Sequence, residues 1–93
     1  MDQSVAFVAE VSDYLDQMIP TATDDELFAA GYLRGHFDLA VGTLQVAAEP
    51  FAKPELLAQV NVSLSQAIDQ GELSEQDQQL VQSLWQQLQQ LPA

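Results

Sequence analysis

From Thr23 to Leu44 the chain reads TDDELFAAGYLRGHFDLAVGTL, and this stretch decides the fold. Thr23 followed three residues on by Glu26 is a capping box. The Thr23 hydroxyl can accept from the Glu26 N–H, and the Glu26 carboxylate can reach back to the Thr23 N–H. Asp24, Asp25 and Glu26 also place negative charge on the positive end of the helix dipole. No proline follows for more than twenty residues, so the spacing predicts one helix to about Ala47, roughly 36 Å long. Two apolar stripes run along it. One is Leu27, Ala30, Phe37, Val41 and Leu44, with Arg34 in its middle. The other is Phe28, Tyr32, Leu39 and Val46, with Gly35 and Gly42 at the remaining steps. A helix so apolar around its circumference calls for neighbours on several sides.

Gly31 and Gly35 are four apart and share a face. Each lowers helix stability by about 1 kcal/mol relative to Ala. The expected compensation is close approach of a neighbouring helix, where a larger side chain would overpack, with approach of a ligand or partner as the alternative.

The flanking segments read as three more helices. Val5, Val8, Val11, Leu15, Met18 and Ile19 repeat at three and four, which predicts a first helix from about Gln3 to Ile19, ended by Pro20. After the second helix comes Glu49-Pro50-Phe51-Ala52-Lys53-Pro54, a loop whose Phe51 is expected to fold back on the core. A third helix runs from about Pro54 to Gln70, with Leu57, Val60, Leu64, Ala67 and Ile68 as its buried stripe. Gly71 supplies a left-handed cap. Ser74, with Asp77 three residues on, opens a fourth helix to about Gln90, lined by Leu80, Val81, Leu84, Trp85, Leu88 and Leu91. Pro92 stops the chain. The whole predicts one all-α domain over residues 1–93: a four-helix bundle of up-down order with a long central second helix, a less regular globular crossing of the four helices being the alternative that periodicity leaves open.

Two blocks carry a resemblance to a known family. The first is Asp24-Asp25-Glu26-Leu27-Phe28-Ala29, then Gly31-Tyr32-Leu33-Arg34-Gly35-His36, then Leu39-Ala40. The second is Gly71-Glu72-Leu73-Ser74, Asp77-Gln78, Leu80-Val81 and Trp85. Together they resemble the signature of the YfcL family of small bacterial proteins, from about Thr23 onward. The resemblance implies an all-helical bacterial cytoplasmic domain and brings no catalytic residues with it.

Charge bounds the function. Fourteen acidic residues against Arg34 and Lys53 give a formal net charge of −12. With no basic patch to release counterions, direct nucleic-acid binding is disfavoured, and anionic membrane surfaces likewise. No apolar run approaches a membrane span, and no basic region opens a signal peptide, so the cytoplasm is the expected compartment. The absence of Cys excludes disulfides and thiolate chemistry. One His and no Cys leave no structural zinc site, and Asp13 with Asp16 offers too few oxygens for a hard cation. No nucleophile elbow, phosphate loop or dinucleotide fingerprint occurs. No cofactor is expected.

The residues that single themselves out are Gly31, Tyr32, Arg34, Gly35, His36 and Asp38. A guanidinium on a covered stripe needs a carboxylate, and Asp38 stands one turn along, with the first or fourth helix as other sources. His36 reads as a partly exposed structural side chain. The leading functional expectation is a non-enzymatic protein that works by contact with a protein partner, a homodimer included. One alternative is a small-ligand or enzymatic site around Arg34, His36 and Tyr32. Another is acidic imitation of nucleic acid, occupying a basic protein.

Overall fold

The capping box forms as its spacing requires. The Thr23 N–H donates to Glu26 Oε1 at 3.0 Å, and the Glu26 N–H donates to Thr23 Oγ1 at 3.2 Å. In this computed structural model, residues 3–46 and 51–91 are described. The expected helix end at Ala47, the loop residues Glu49 and Pro50 and the stop at Pro92 lie outside the described residues. Four helices follow one another: α1 (Gln3–Met18), α2 (Asp24–Val46), α3 (Lys53–Asp69) and α4 (Glu75–Gln89). A short 3-10 turn, Ile19–Thr21, carries Pro20 between α1 and α2. The described residues form an all-α bundle, with the 23-residue α2 as its axis.

In an up-down square α4 would stand diagonally from α2. Here α2 packs most extensively against α4 and α3, while α1 lies against α3. The molecule is 19 Å through its thinnest direction, about two helix layers at an interaxial spacing of 8–10 Å.

The core chooses among the apolar stripes. On α2 the buried side chains are Ala29, Ala30, Leu33, Phe37 and Ala40, whereas Leu27, Phe28, Leu39 and Val46 are exposed. The small residues on the covered side are these alanines, buried beside Leu33 and Phe37. On α1 the stripe is Phe7, Val11 and Leu15, and the expected Val5 and Ile19 face outward. The reason lies in its partner: the Phe7 ring meets Phe37 edge to face, centroids 6.0 Å apart, within the favourable range for such pairs. On α3 Leu56 replaces Leu57 at the centre of the stripe, and Leu57 is half-buried. Val81, Leu84, Trp85 and Leu88 of α4 are buried as expected, and Phe51 packs on the cluster.

The turns follow their residues. Gly71 adopts φ 76°, the left-handed conformation that closes α3. Ser74 accepts from the Asp77 N–H at 3.2 Å. At the start of α3 the Ala52 N–H donates to Glu55 at 3.4 Å. Ala52 has no side-chain acceptor, so only that half of a capping box is made.

Gly31 and Gly35 overturn the helix-crossing expectation. A methyl group at either would meet nothing within 4 Å, and both residues are exposed. Gly31→Ala and Gly35→Ala should therefore each stabilise the fold, by about 0.5–1 kcal/mol from backbone entropy. Urea unfolding measures this, and a loss of stability in either variant would reveal a neighbour resting on that face.

Candidate functional site

Residues 31–38 occupy two turns of α2, so their side chains leave the helix in different directions. Arg34 is two residues from Tyr32 and from His36, about half a turn round from both. It points to α1. Its Nη1 donates to Asp16 Oδ1 at 3.0 Å, and its Nη2 donates to Ser12 Oγ at 2.9 Å. The expected Asp38 partner is not the one used: a carboxylate on the neighbouring helix fixes α1 against α2, and Asp38 remains exposed. Pair members 34% and 60% exposed are well solvated, so the ion pair sets register more than it adds stability.

Tyr32 and His36 point the other way, toward α3 and the α3–α4 turn. Phe28, Tyr32 and His36 stack in sequence one turn apart, with centroids at 5.9 Å and then 4.8 Å. The Tyr32 hydroxyl donates to Glu72 Oε1 at 2.9 Å. His36 Nδ1 hydrogen-bonds Ser63 Oγ on α3. A serine beside an imidazole is the start of a nucleophile–base pair. Ser63, however, sits mid-helix, where the surrounding backbone N–H groups serve α3 itself and are not aimed at a developing oxyanion. The pair is a brace between α2 and α3.

Burial pushes the Tyr32 phenol up to about 12, helped by the hydrogen bond to Glu72 and by its negative charge. The unfolded chain ionises this group near 10.0. The protonated phenol thus favours folding fully below pH 10, and that contribution is lost as pH rises through about 12. Subtracting the ultraviolet titration of Tyr32→Phe from that of the parent should isolate a phenol still mostly protonated at about pH 11. Ionisation near 10 with helix content intact would mean the Glu72 contact is not held. Glu26 shifts in the opposite direction: the Thr23 backbone N–H, then its hydroxyl, hold its carboxyl below the usual 4.5.

The chain's second cation is also engaged internally. Lys53 Nζ donates to the Leu91 carbonyl at 3.0 Å and lies 4.5 Å from the centre of the Phe7 ring. Both basic side chains therefore tie elements of the bundle together. Among the described residues no group of carboxylates and imidazoles is placed to hold a metal ion. No described helix is long and apolar enough to cross a membrane.

Among the described residues, the outer face of α2 is left uncovered. Phe28, Leu39 and Val46, separated by whole turns, are 46%, 65% and 86% exposed. Gly31, Gly35 and Gly42 stand between them with open space at each. Beside Leu39, a depression of about 180 Å³ continues onto α3 at Val62, itself exposed. Below Leu27 and Gly31 a smaller hollow of about 120 Å³ runs to Ile19. Another groove, of about 220 Å³, lies between α1 and α4 around Tyr14, Met18 and Leu84. The Tyr14 hydroxyl closes one side of it by donating to Gln87 Oε1 at 2.7 Å.

The six singled-out residues thus divide three ways. Tyr32 and His36 come together, Arg34 leaves for α1, and Gly31, Gly35 and Asp38 lie outside. Ser12, Asp16, Ser63 and Glu72, which complete these contacts, come from other elements. Nothing in their local sequence marks them, because the pairings span 18 to 40 residues.

Comparison with known proteins gives a consistent result. The YfcL protein family matches residues 5–90. Uncharacterized protein YfcL of Escherichia coli (strain K12) is 42% identical over 82 residues, covering 88% of each chain. No solved structure matches.

Proposed function

The chain belongs to the YfcL family, and from that premise we propose that it works by contact with another protein through the outer face of α2. One observation carries this reading: Phe28, Leu39 and Val46 stand in solvent along one side of the helix that otherwise forms the axis of the core. The bundle covers α2 with α3 and α4 and places α1 on the Arg34 side. Large apolar side chains aligned on an exposed helix face mark a contact surface more often than scattered ones do. The surface charge suits life in a concentrated solution, since a net −12 opposes nonspecific self-association.

The alternative of one ligand held by Arg34, His36 and Tyr32 meets a geometric obstacle. Arg34 is turned to Asp16 on one side of α2, and the two rings are turned to Ser63 and Glu72 on the other. Imitation of nucleic acid draws on net charge, but α2 carries its carboxylates at the first turn and at Asp38 rather than in a continuous row.

Site-specific photo-crosslinking in the source cell tests the reading. A photoreactive residue replacing Leu39 should form adducts with a defined protein. The same group replacing Gln82, exposed on α4, should not. Identical adducts from both positions, or none from position 39, would overturn it.

A further inference from the structure

We infer that the partner presents a basic amphipathic helix, which lies along the outer face of α2. This rests on the reading of that face as a contact surface and names the chemistry it fits. The shape comes first. Phe28, Leu39 and Val46 project from the face, and Gly31, Gly35 and Gly42 leave bare backbone between them. A second helix seated there meets no side chain at the glycines, so the two axes can come to the short end of the usual 8–10 Å. Its own apolar side chains, one per turn, then pack beside the three exposed ones. This also accounts for glycines that cost α2 stability without admitting any helix of the bundle.

Charge then selects the occupant. Asp24, Asp25 and Asp38 are exposed on α2 at the borders of this face. Neither basic side chain neutralises them, since Arg34 is bound to Asp16 and Lys53 to the Leu91 carbonyl. A second copy of the chain would bring no free basic side chain to these carboxylates and would add its own −12 to the contact. Anionic lipid and nucleic acid are repelled for the same reason. A helix with Lys or Arg flanking an apolar stripe meets the apolar centre and the acidic border together.

Fluorescence anisotropy with synthetic peptides of about 18 residues, five turns, tests this. One peptide carries leucines on a helical stripe with lysines elsewhere. A second replaces every lysine by glutamate. A third has the first composition with the stripe scrambled. The protein is used as parent, as Gly35→Leu, as Leu39→Asn, and as Val5→Asn, an exposed apolar control on α1. Circular dichroism and thermal unfolding establish that each variant is folded.

The lysine peptide should bind the parent and Val5→Asn alike at about 0.15 M salt. Gly35→Leu, which fills the groove, and Leu39→Asn, which removes its wall, should each weaken binding about tenfold or more. The other two peptides should bind far more weakly. Equal affinity for all four proteins, or for the scrambled peptide, would reduce the effect to bulk charge and overturn the proposal. Binding of the glutamate peptide would do the same, as would a homodimer of the parent that Leu39→Asn dissociates. The crosslinking result stands apart: a partner captured at position 39 through a segment that is acidic or not helical sinks this inference and leaves the contact surface in place.

Discussion

Phe37→Ala is expected to lower stability by about 3–5 kcal/mol, the range for truncating a buried aromatic side chain. Phe37 is 2% exposed and stands where three helices meet. Its ring faces Phe7 of α1 at 6.0 Å and Trp85 of α4 at 6.3 Å. Truncation removes its own burial and also the partner of both rings. Neither can follow it freely: Phe7 lies under the Lys53 ammonium group, and Trp85 is tethered by its Nε1–H, which donates to Asn61 Oδ1 at 2.7 Å. The cavity therefore stays partly open, which places the loss in the upper part of the range. Domains of this size hold about 5–15 kcal/mol in all, so the variant should show a sharply lowered urea midpoint. A loss under about 1.5 kcal/mol would mean that the three helices do not converge on this ring.

Leu33→Ala should cost about 2–5 kcal/mol, whereas Leu39→Ala, on the same helix, should stay within about 0.5 kcal/mol. The two residues are chemically identical and six positions apart. Leu33 is fully buried, and Leu39 is 65% exposed. Measuring both by chemical denaturation reads the orientation of α2 directly. Comparable losses would place Leu39 against something within the same molecule, and the outer face would no longer be free to take a partner. A large loss at Leu39 and a small one at Leu33 would rotate the helix and reverse the assignment of its faces.

Much of the fold was legible locally. Helix starts at Thr23 and Ser74 and the left-handed turn at Gly71 depend on residues three or four apart: Thr23 makes both bonds of its box, Ser74 makes the one from the Asp77 N–H, and Gly71 takes φ 76°. The stripe of α4 was equally clear, because glutamine fills its other side and leaves one direction for the apolar residues. Membership in the helical family was written in the two blocks around α2 and the α3–α4 turn.

The rotation of α2 was not legible, and the candidate site depended on it. Its sequence is apolar almost all round, so periodicity offers several faces of similar merit and no local rule ranks them. Tertiary packing ranked them: Ala29, Ala30 and Ala40 admit the neighbouring helices, and Leu33 and Phe37 fill the layer between. That choice put Phe28, Leu39, Val46 and the open glycines outside and sent Arg34 and the Tyr32–His36 pair to opposite sides. Arg34 shows the same division of labour. A guanidinium on a half-covered face demanded a carboxylate, which the sequence alone determined. That it is Asp16 of α1 and not Asp38, one turn away, was decided only when the two helices were brought together, because a contact across 18 residues leaves no local trace.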